Sequence, residues 1–374
     1  MIDSKNILVH PRILISGGGT GGHIFPAVSI ANEIVRRYPA AKILFVGALG
    51  RMEMTRIPEV GYEIVGLPIS GIQRKFSLAN LALPFKLLVS ILKARAIIKE
   101  FKPDAAVGTG GFASAPLMAA ARQLGIPSLV QEQNSYAGIT NKSIGAKADR
   151  ICVAYKGMEK FFPSQKIRLT GNPVRKDILS LNGKRAQALN EFGFVSTCRT
   201  LLIIGGSLGA RTINNSILAG LNKLTDAQIQ VLWQTGKVYY GHVQAQVNGQ
   251  DLRQVRVFDF IKNMDMAYAA ADVVITRAGA LAIAELCVAG KPSILVPSPN
   301  VAEDHQTKNA EALAKEGAGI LVTDAAAEQD LVSEAIRLIF DEERCAALSR
   351  RILLLGKPKA TEDIVNELET LIKR

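Results

Sequence analysis

The residues with chemical potential gather around glycine. Gly17, Gly18, Gly19, Gly21 and Gly22 fall within six positions, and His23, one of four histidines in the chain, follows at once. Glycines let a backbone approach a ligand closely. A helix that starts at such a loop adds unpaired N–H groups and the positive end of its dipole, so phosphate is the guest this loop suits. An imidazole titrates near neutrality, which fits His23 to take a proton from a hydroxyl; capping or packing the helix start is its structural alternative. Two further glycine loops follow, Gly108-Thr109-Gly110-Gly111-Phe112 and Gly205-Gly206-Ser207-Leu208-Gly209-Ala210. Ser207 can offer a hydroxyl and an amide to a phosphate oxygen or cap the next helix, and the two are compatible. Glu285 lies in the almost wholly apolar run 280–288. A carboxylate there needs a partner, which a ribose diol or a salt bridge would each supply. Arg175, after a proline-fixed turn, is a free cation or an anion ligand.

The elements that must hold these residues are strands and helices in alternation. Residues 12–16 read as a buried strand running into the first loop, and residues 27–38 as the helix beyond it. The spacing Gly17-x-Gly19-x-x-Gly22 is formally that of a dinucleotide fingerprint, but no carboxylate follows the next strand, residues 43–46. A phosphate-binding P-loop is weakened too, since His23 and Ile24 stand where Lys and Ser or Thr are required. Further strands are expected at 62–66, 104–108, 128–131 and 150–153, with helices between. That pattern is a parallel sheet covered on both faces. Alternation lapses between residues 171 and 198, then resumes with strands at 200–204, 230–233, 255–258, 273–276, 293–296 and 319–322. The chain therefore reads as α/β, two doubly wound parallel-sheet domains in tandem, residues 1–178 and 179–357. An amphipathic helix in residues 358–374 is expected to return to the first domain.

Composition narrows the class. A length of 374 residues exceeds what one core usually supports, and 48% hydrophobic with 21% charged residues is globular. Four scattered cysteines form no C-x-x-C pair, so neither a disulfide framework nor a zinc site is expected. No apolar run reaches transmembrane length, and the first eleven residues lack the apolar stretch of a secretory signal. The net charge of +12 points to an anionic partner, which nucleic acid, a membrane surface or a phosphorylated substrate would each supply. Aromatic content of 6%, not interleaved with the basic residues, argues against nucleic acid. Residues 71–102 hold seven Lys and Arg against the single acid Glu100, mixed with apolar side chains such as Ile72, Phe85 and Leu88. Pro84 divides this stretch, which reads as packing against the first sheet or as a surface that lies on anionic lipid.

Six motifs, in order along nearly the whole chain, resemble the MurG family of bacterial peptidoglycan N-acetylglucosaminyltransferases. They are residues 17–23, 131–138, Gly171-Asn172-Pro173-Val174-Arg175, residues 205–211, Arg277-Ala278-Gly279-Ala280-Leu281 with Glu285, and residues 304–310. The resemblance implies a GT-B fold, two Rossmann-like domains facing a central cleft. It implies transfer of GlcNAc from UDP-GlcNAc to the C4 hydroxyl of MurNAc in undecaprenyl-pyrophosphoryl-MurNAc-pentapeptide (lipid I), with inversion. Another GT-B sugar-nucleotide enzyme, a glycolipid glycosyltransferase or a UDP-GlcNAc epimerase, is the alternative. By resemblance, Thr20, Gly21, Gly22 and Asn134 lie at the junction of donor sugar and acceptor. Arg175, Ser207 and Glu285 bind the donor nucleotide, Ala280, Leu281, Ala282, Ile283 and Ala284 give it backbone contacts, Ile261 meets the uracil through its main chain, and Gln306 bonds the donor sugar. His23 is the candidate base. No Asp-x-Asp triplet occurs, so no metal and no cofactor are expected, and loop amides, helix dipoles and cations must carry the leaving diphosphate. Attachment through residues 72–88 to the cytoplasmic face of the bacterial inner membrane, as a peripheral protein, follows from a lipid-linked acceptor.

Overall fold

A computed structural model describes residues 10–70, 83–206, 208–248 and 253–372. The chain divides into two compact units, residues 1–174 with 359–374, and residues 175–358.

In the first unit the strands are β1 (Arg12–Gly17), β2 (Lys42–Ala48), β3 (Glu63–Leu67), β4 (Ala105–Gly110), β5 (Ser128–Glu132), β6 (Arg150–Val153) and β7 (Ile167–Leu169). All pair in parallel, in the order β3-β2-β1-β4-β5-β6-β7. The helices between are α1 (Gly21–Arg37), α2 (Glu53–Glu59), α3 (Leu83–Phe101), α4 (Ser114–Gln123) and α5 (Ile139–Gly145). Ile13, Leu14 and Ile15 are wholly buried because both faces of the sheet are covered, so β1 reads as an apolar run and not as an alternating one.

The second unit holds β8 (Thr200–Ile204), β9 (Gln230–Gln234), β10 (Val255–Phe258), β11 (Val273–Thr276), β12 (Ser293–Leu295) and β13 (Ile320–Leu321). Their order, β10-β9-β8-β11-β12-β13, repeats that of the first unit, again all parallel. Around them lie α6 (Arg185–Glu191), α7 (Arg211–Asp226), α8 (Tyr240–Val247), α9 (Met264–Ala270), α10 (Ala280–Ala289), α11 (His305–Lys315), α12 (Ala327–Phe340) and α13 (Glu342–Leu355). In each sheet the order reverses beside the first strand, at β1/β4 and at β8/β11, and the loops leaving those strands are where ligands bind in such folds.

The last helix, α14 (Ala360–Ile372), belongs to the first unit and sends Ile364, Val365, Leu368 and Leu371 into the core beneath α1. Polar bonds add to this seam. Arg37 of α1 pairs with Glu369 at 2.9 Å and donates to Asn366 at 2.7 Å. Arg37 and Arg36 also hold the buried Glu33, whose carboxyl is lowered to about 2, first by its hydrogen bond from Arg36.

Two local expectations differ from the structure. The first helix begins at Gly21 and not at residue 27, so two loop glycines and His23 form its opening turn. Glycine's poor helix propensity hides that turn from the periodicity of apolar residues. Strand β7 is absent from the reading because three residues, none of them buried, carry no pattern. Pro84 is the second residue of α3, where its missing N–H has no partner to lose, so the part of the stretch 71–102 beyond it is one helix. The basic and apolar residues 71–82 lie outside the described residues.

Candidate functional site

In the first unit the site grows from two glycine loops laid against each other. The loop after β1 and the loop after β4 touch through backbone, with Gly18 N–H donating to Gly110 O at 3.2 Å. Gly110 and Gly111 have φ of +112° and +91°, and a Cβ on Gly111 would stand 2.4 Å from Gly18 O. Only glycine permits that approach. A Cβ on Gly110 would meet the His23 ring at 2.8 Å, so the imidazole rests directly on the second loop.

His23 occupies the third position of α1, partly exposed, with its main-chain carbonyl accepting from Thr109 Oγ1 at 2.8 Å. Its Nδ1 lies 2.9 Å from Gly18 O. A carbonyl only accepts, so Nδ1 carries a proton in that contact, and in the neutral ring Nε2 is the basic nitrogen. A neutral imidazole fixed by one nitrogen, with a basic second nitrogen, is the form a general base requires. Thr20 is the extended residue before α1 and makes no side-chain cap bond. The N–H groups of Gly21 and Gly22 open the helix with no intrahelical acceptor, as the first turn of any helix does.

Asn134 is held beside these loops by Glu132. That buried carboxylate accepts from the Asn134 main chain at 2.9 Å and from its side chain at 3.2 Å, and from Asn141 at 2.9 Å. Gln133, also buried, donates to Thr109 O at 2.8 Å and ties this segment to the second glycine loop.

In the second unit, Arg175 and Glu285 come together, 3.2 Å apart from Nε to Oε1. Tyr268, wholly buried, donates its hydroxyl to the other carboxylate oxygen at 3.1 Å. Burial raises the Glu285 carboxyl above its usual range, and Arg175 draws it partly back. Burial, then the Glu285 charge, pushes the Tyr268 phenol far up, which keeps it a donor. The salt bridge is thus present, and half-exposed Arg175 is the partner a ligand would have to share.

Helix α10 starts at Ala280 after the extended Gly279, with no side-chain cap, so the first turn, Ala280, Leu281 and Ala282, followed by Ile283 and Ala284, carries the positive end of the helix dipole. The Ile261 N–H donates to Gln234 Oε1 at 2.9 Å, which leaves its carbonyl as the main-chain group for a base edge. Gln306, at the start of α11, accepts from Ser298 N–H at 2.9 Å, which leaves its amide NH2 to donate. The two residues before α11, Glu303 and Asp304, have φ of +54° and +51°, a strained left-handed pair of the kind that collects at ligand sites. Ser207 lies outside the described residues; its neighbours Gly206 and Leu208 lie between β8 and α7.

Several supporting residues escape sequence reasoning: Glu53 and Glu132 in the first unit, Tyr268, Gln234 and Asp324 in the second. Asp324 pairs with Arg277, which also donates to the carbonyls of Val296 and Pro297 at 3.1 and 3.2 Å. A buried carboxylate that accepts main-chain N–H groups has no spacing signature, so only a fold reveals it.

Residues 13–153 match the glycosyltransferase family 28 N-terminal domain, and residues 200–364 match the family's C-terminal domain. The chain is 55% identical over 96% of its length to a protein from Cytophaga hutchinsonii, covering 97% of it, and 53% identical over 97% to one from Parabacteroides distasonis, covering 99% of it. Both are named UDP-N-acetylglucosamine–N-acetylmuramyl-(pentapeptide) pyrophosphoryl-undecaprenol N-acetylglucosamine transferase. Among solved structures it is similar to Acinetobacter baumannii MurG, with TM-score 0.79 and 28% identity, covering 96% of this chain and 99% of that one. A UDP-N-acetylglucosamine 2-epimerase, with TM-score 0.63 and 14% identity over 97% of this chain and 96% of that one, shares the fold alone. With both domains of the family matched in order and relatives above half identity over nearly the full length, the chain belongs to glycosyltransferase family 28.

Proposed function

We propose that this enzyme moves GlcNAc from UDP-GlcNAc to the C4 hydroxyl of MurNAc in lipid I, with inversion, to give lipid II. The observation that carries the reading is identity of 53–55% across 96–97% of the chain to transferases named for that donor and acceptor. The geometry supports it with a base in one unit and a nucleotide-binding set in the other. His23 Nε2 takes the proton of the attacking hydroxyl, with Thr20, Gly21, Gly22 and Asn134 around the acceptor. Glu285 accepts from the ribose hydroxyls, Ile261 O meets the uracil, and Gln306 donates to the donor sugar. The departing diphosphate is met by the α10 N-terminus at Ala280 to Ala284, by Ser207 and by Arg175.

Incubation with labelled UDP-GlcNAc and a lipid I analogue tests this directly. Labelled disaccharide on the lipid is the expected product. Donor consumption that proceeds equally well without acceptor would overturn the transferase reading in favour of an epimerase.

The acceptor never leaves the bilayer, so the enzyme works as a peripheral protein at the cytoplasmic face of the inner membrane. Among the described residues no helix is long and apolar enough to cross a membrane. Helix α3 buries Ala94, Ile97 and Ile98, while Phe85, Leu88 and Leu92 stand 56–70% exposed, at the spacing of one helical face, with Lys86 and Lys93 among them. Apolar side chains with flanking cations suit an anionic lipid surface, each cation contributing about 1 kcal/mol. Charge reversal at Arg74, Lys75 and Lys86 is expected to weaken binding to phosphatidylglycerol vesicles and to spare UDP-GlcNAc affinity. Undiminished vesicle binding by the triple variant would contradict this attachment.

A further inference from the structure

Glu53 is a carboxylic acid with 1% of its surface exposed and no basic side chain bonded to it among the described residues. Both its oxygens accept from main chain. Oε2 takes the Gly19 N–H at 2.8 Å, inside the first glycine loop, and Oε1 takes the Ala48 N–H at 3.0 Å, at the end of β2. The fit is close enough to dictate sequence: a Cβ on Gly18 would stand 2.2 Å from Oε1. The carboxylate therefore holds the Gly18–Gly19 peptide from beneath. The carbonyl of that same peptide, Gly18 O, is the atom 2.9 Å from His23 Nδ1.

Resting on the assignment of His23 as base, we infer that Glu53 is a positioning residue, which fixes the tautomer and direction of the His23 imidazole through the Gly18–Gly19 peptide. A negative charge that accepts from the peptide N–H polarises the peptide and strengthens its carbonyl as an acceptor. That carbonyl then draws the proton to Nδ1 and makes Nε2 the basic nitrogen of the neutral ring. The arrangement does what an acid beside a catalytic histidine does, with one peptide group interposed. It touches no substrate.

Glu53→Gln tests the inference at nearly constant shape. The amide keeps one acceptor and turns an NH2 toward the other N–H, so the hold on the Gly18–Gly19 peptide or on Ala48 is lost. A misplaced base costs on the order of 100-fold in rate. The variant is expected to lose about that factor in kcat, to keep its UDP-GlcNAc affinity, and to shift the alkaline-rising limb of its kcat profile. Nitrogen-15 spectra of the imidazole give a readout independent of turnover: the Nδ1–H form of His23 dominates in the parent and gives way to a tautomer mixture in Glu53→Gln. Glu53→Asp, which keeps the charge at shorter reach, is expected to recover part of both signals. Unchanged imidazole spectra in Glu53→Gln overturn the inference whatever the activity. A fall in donor affinity equal to the fall in kcat also overturns it, since that marks general unfolding. A parent without transferase activity but with the Nδ1–H tautomer lost in the variant leaves this linkage standing and removes the proposed reaction instead.

Discussion

Replacing His23 by alanine is expected to lower kcat by about 100- to 10,000-fold, the usual worth of a positioned general base, with UDP-GlcNAc affinity unchanged. The selectivity comes from placement. His23 belongs to the first unit, whereas Arg175, Glu285, Ile261 and Gln306 belong to the second. Its ring packs on Gly110, so alanine leaves space and not a clash, and the main-chain bond from Thr109 to His23 O survives the change. The measurement is steady-state kinetics with both substrates varied, beside donor binding by calorimetry. A His23→Ala enzyme with nearly full kcat eliminates the residue as base. His23→Gln sharpens the test, because the amide can still donate to Gly18 O but cannot take a proton at neutral pH.

Glu285→Ala is expected to weaken UDP-GlcNAc binding by about 10- to 150-fold, the loss of a charge-assisted bond of about 1.5–3 kcal/mol. Two consequences accompany it. The Tyr268 hydroxyl loses its acceptor inside the core, which costs stability of about 1–3 kcal/mol, and Arg175 loses its ion pair near the surface, where little is at stake. Adding Tyr268→Phe removes the orphaned hydroxyl, so the double variant is expected to regain thermal stability without regaining affinity. Affinity that returns with stability would make Glu285 a structural residue only. The raised carboxyl sets a pH dependence with a definite sign. Ribose hydroxyls need the ionised form as acceptor, so donor affinity falls as pH drops toward a value above the ordinary glutamate range.

What the sequence discloses follows from what leaves a periodic trace. Strands β1, β8 and β11 are legible because a doubly covered sheet demands apolar runs. The start of α1 is not, because Gly21 and Gly22 are poor helix formers that add nothing to the apolar periodicity. Among site residues, Glu285 stands out as a charge in an apolar helix, and His23 as a rare residue beside glycine. Glu53 stands out in neither way. It follows Arg51 and Met52 in an ordinary polar stretch, and its burial depends on β2 lying next to β1, a pairing that its own neighbours in sequence do not encode. Tyr268 and Gln234 are likewise defined by what crosses to them in space.

The return of α14 to the first unit has a bearing on how the protein is made. The core beneath α1 includes Ile364, Val365, Leu368 and Leu371, which leave a ribosome after every residue of the second unit. Until they emerge, Ile30 and Ile34 of α1 lack part of their cover, although the chain that forms the sheet was finished about two hundred residues earlier. The first unit therefore waits for residues that follow the whole of the second, and the second, residues 175–358, can close before it. A ribosome that stops short of residue 360 releases a chain whose nucleotide-binding half can be whole but whose base-bearing half exposes an apolar groove along α1.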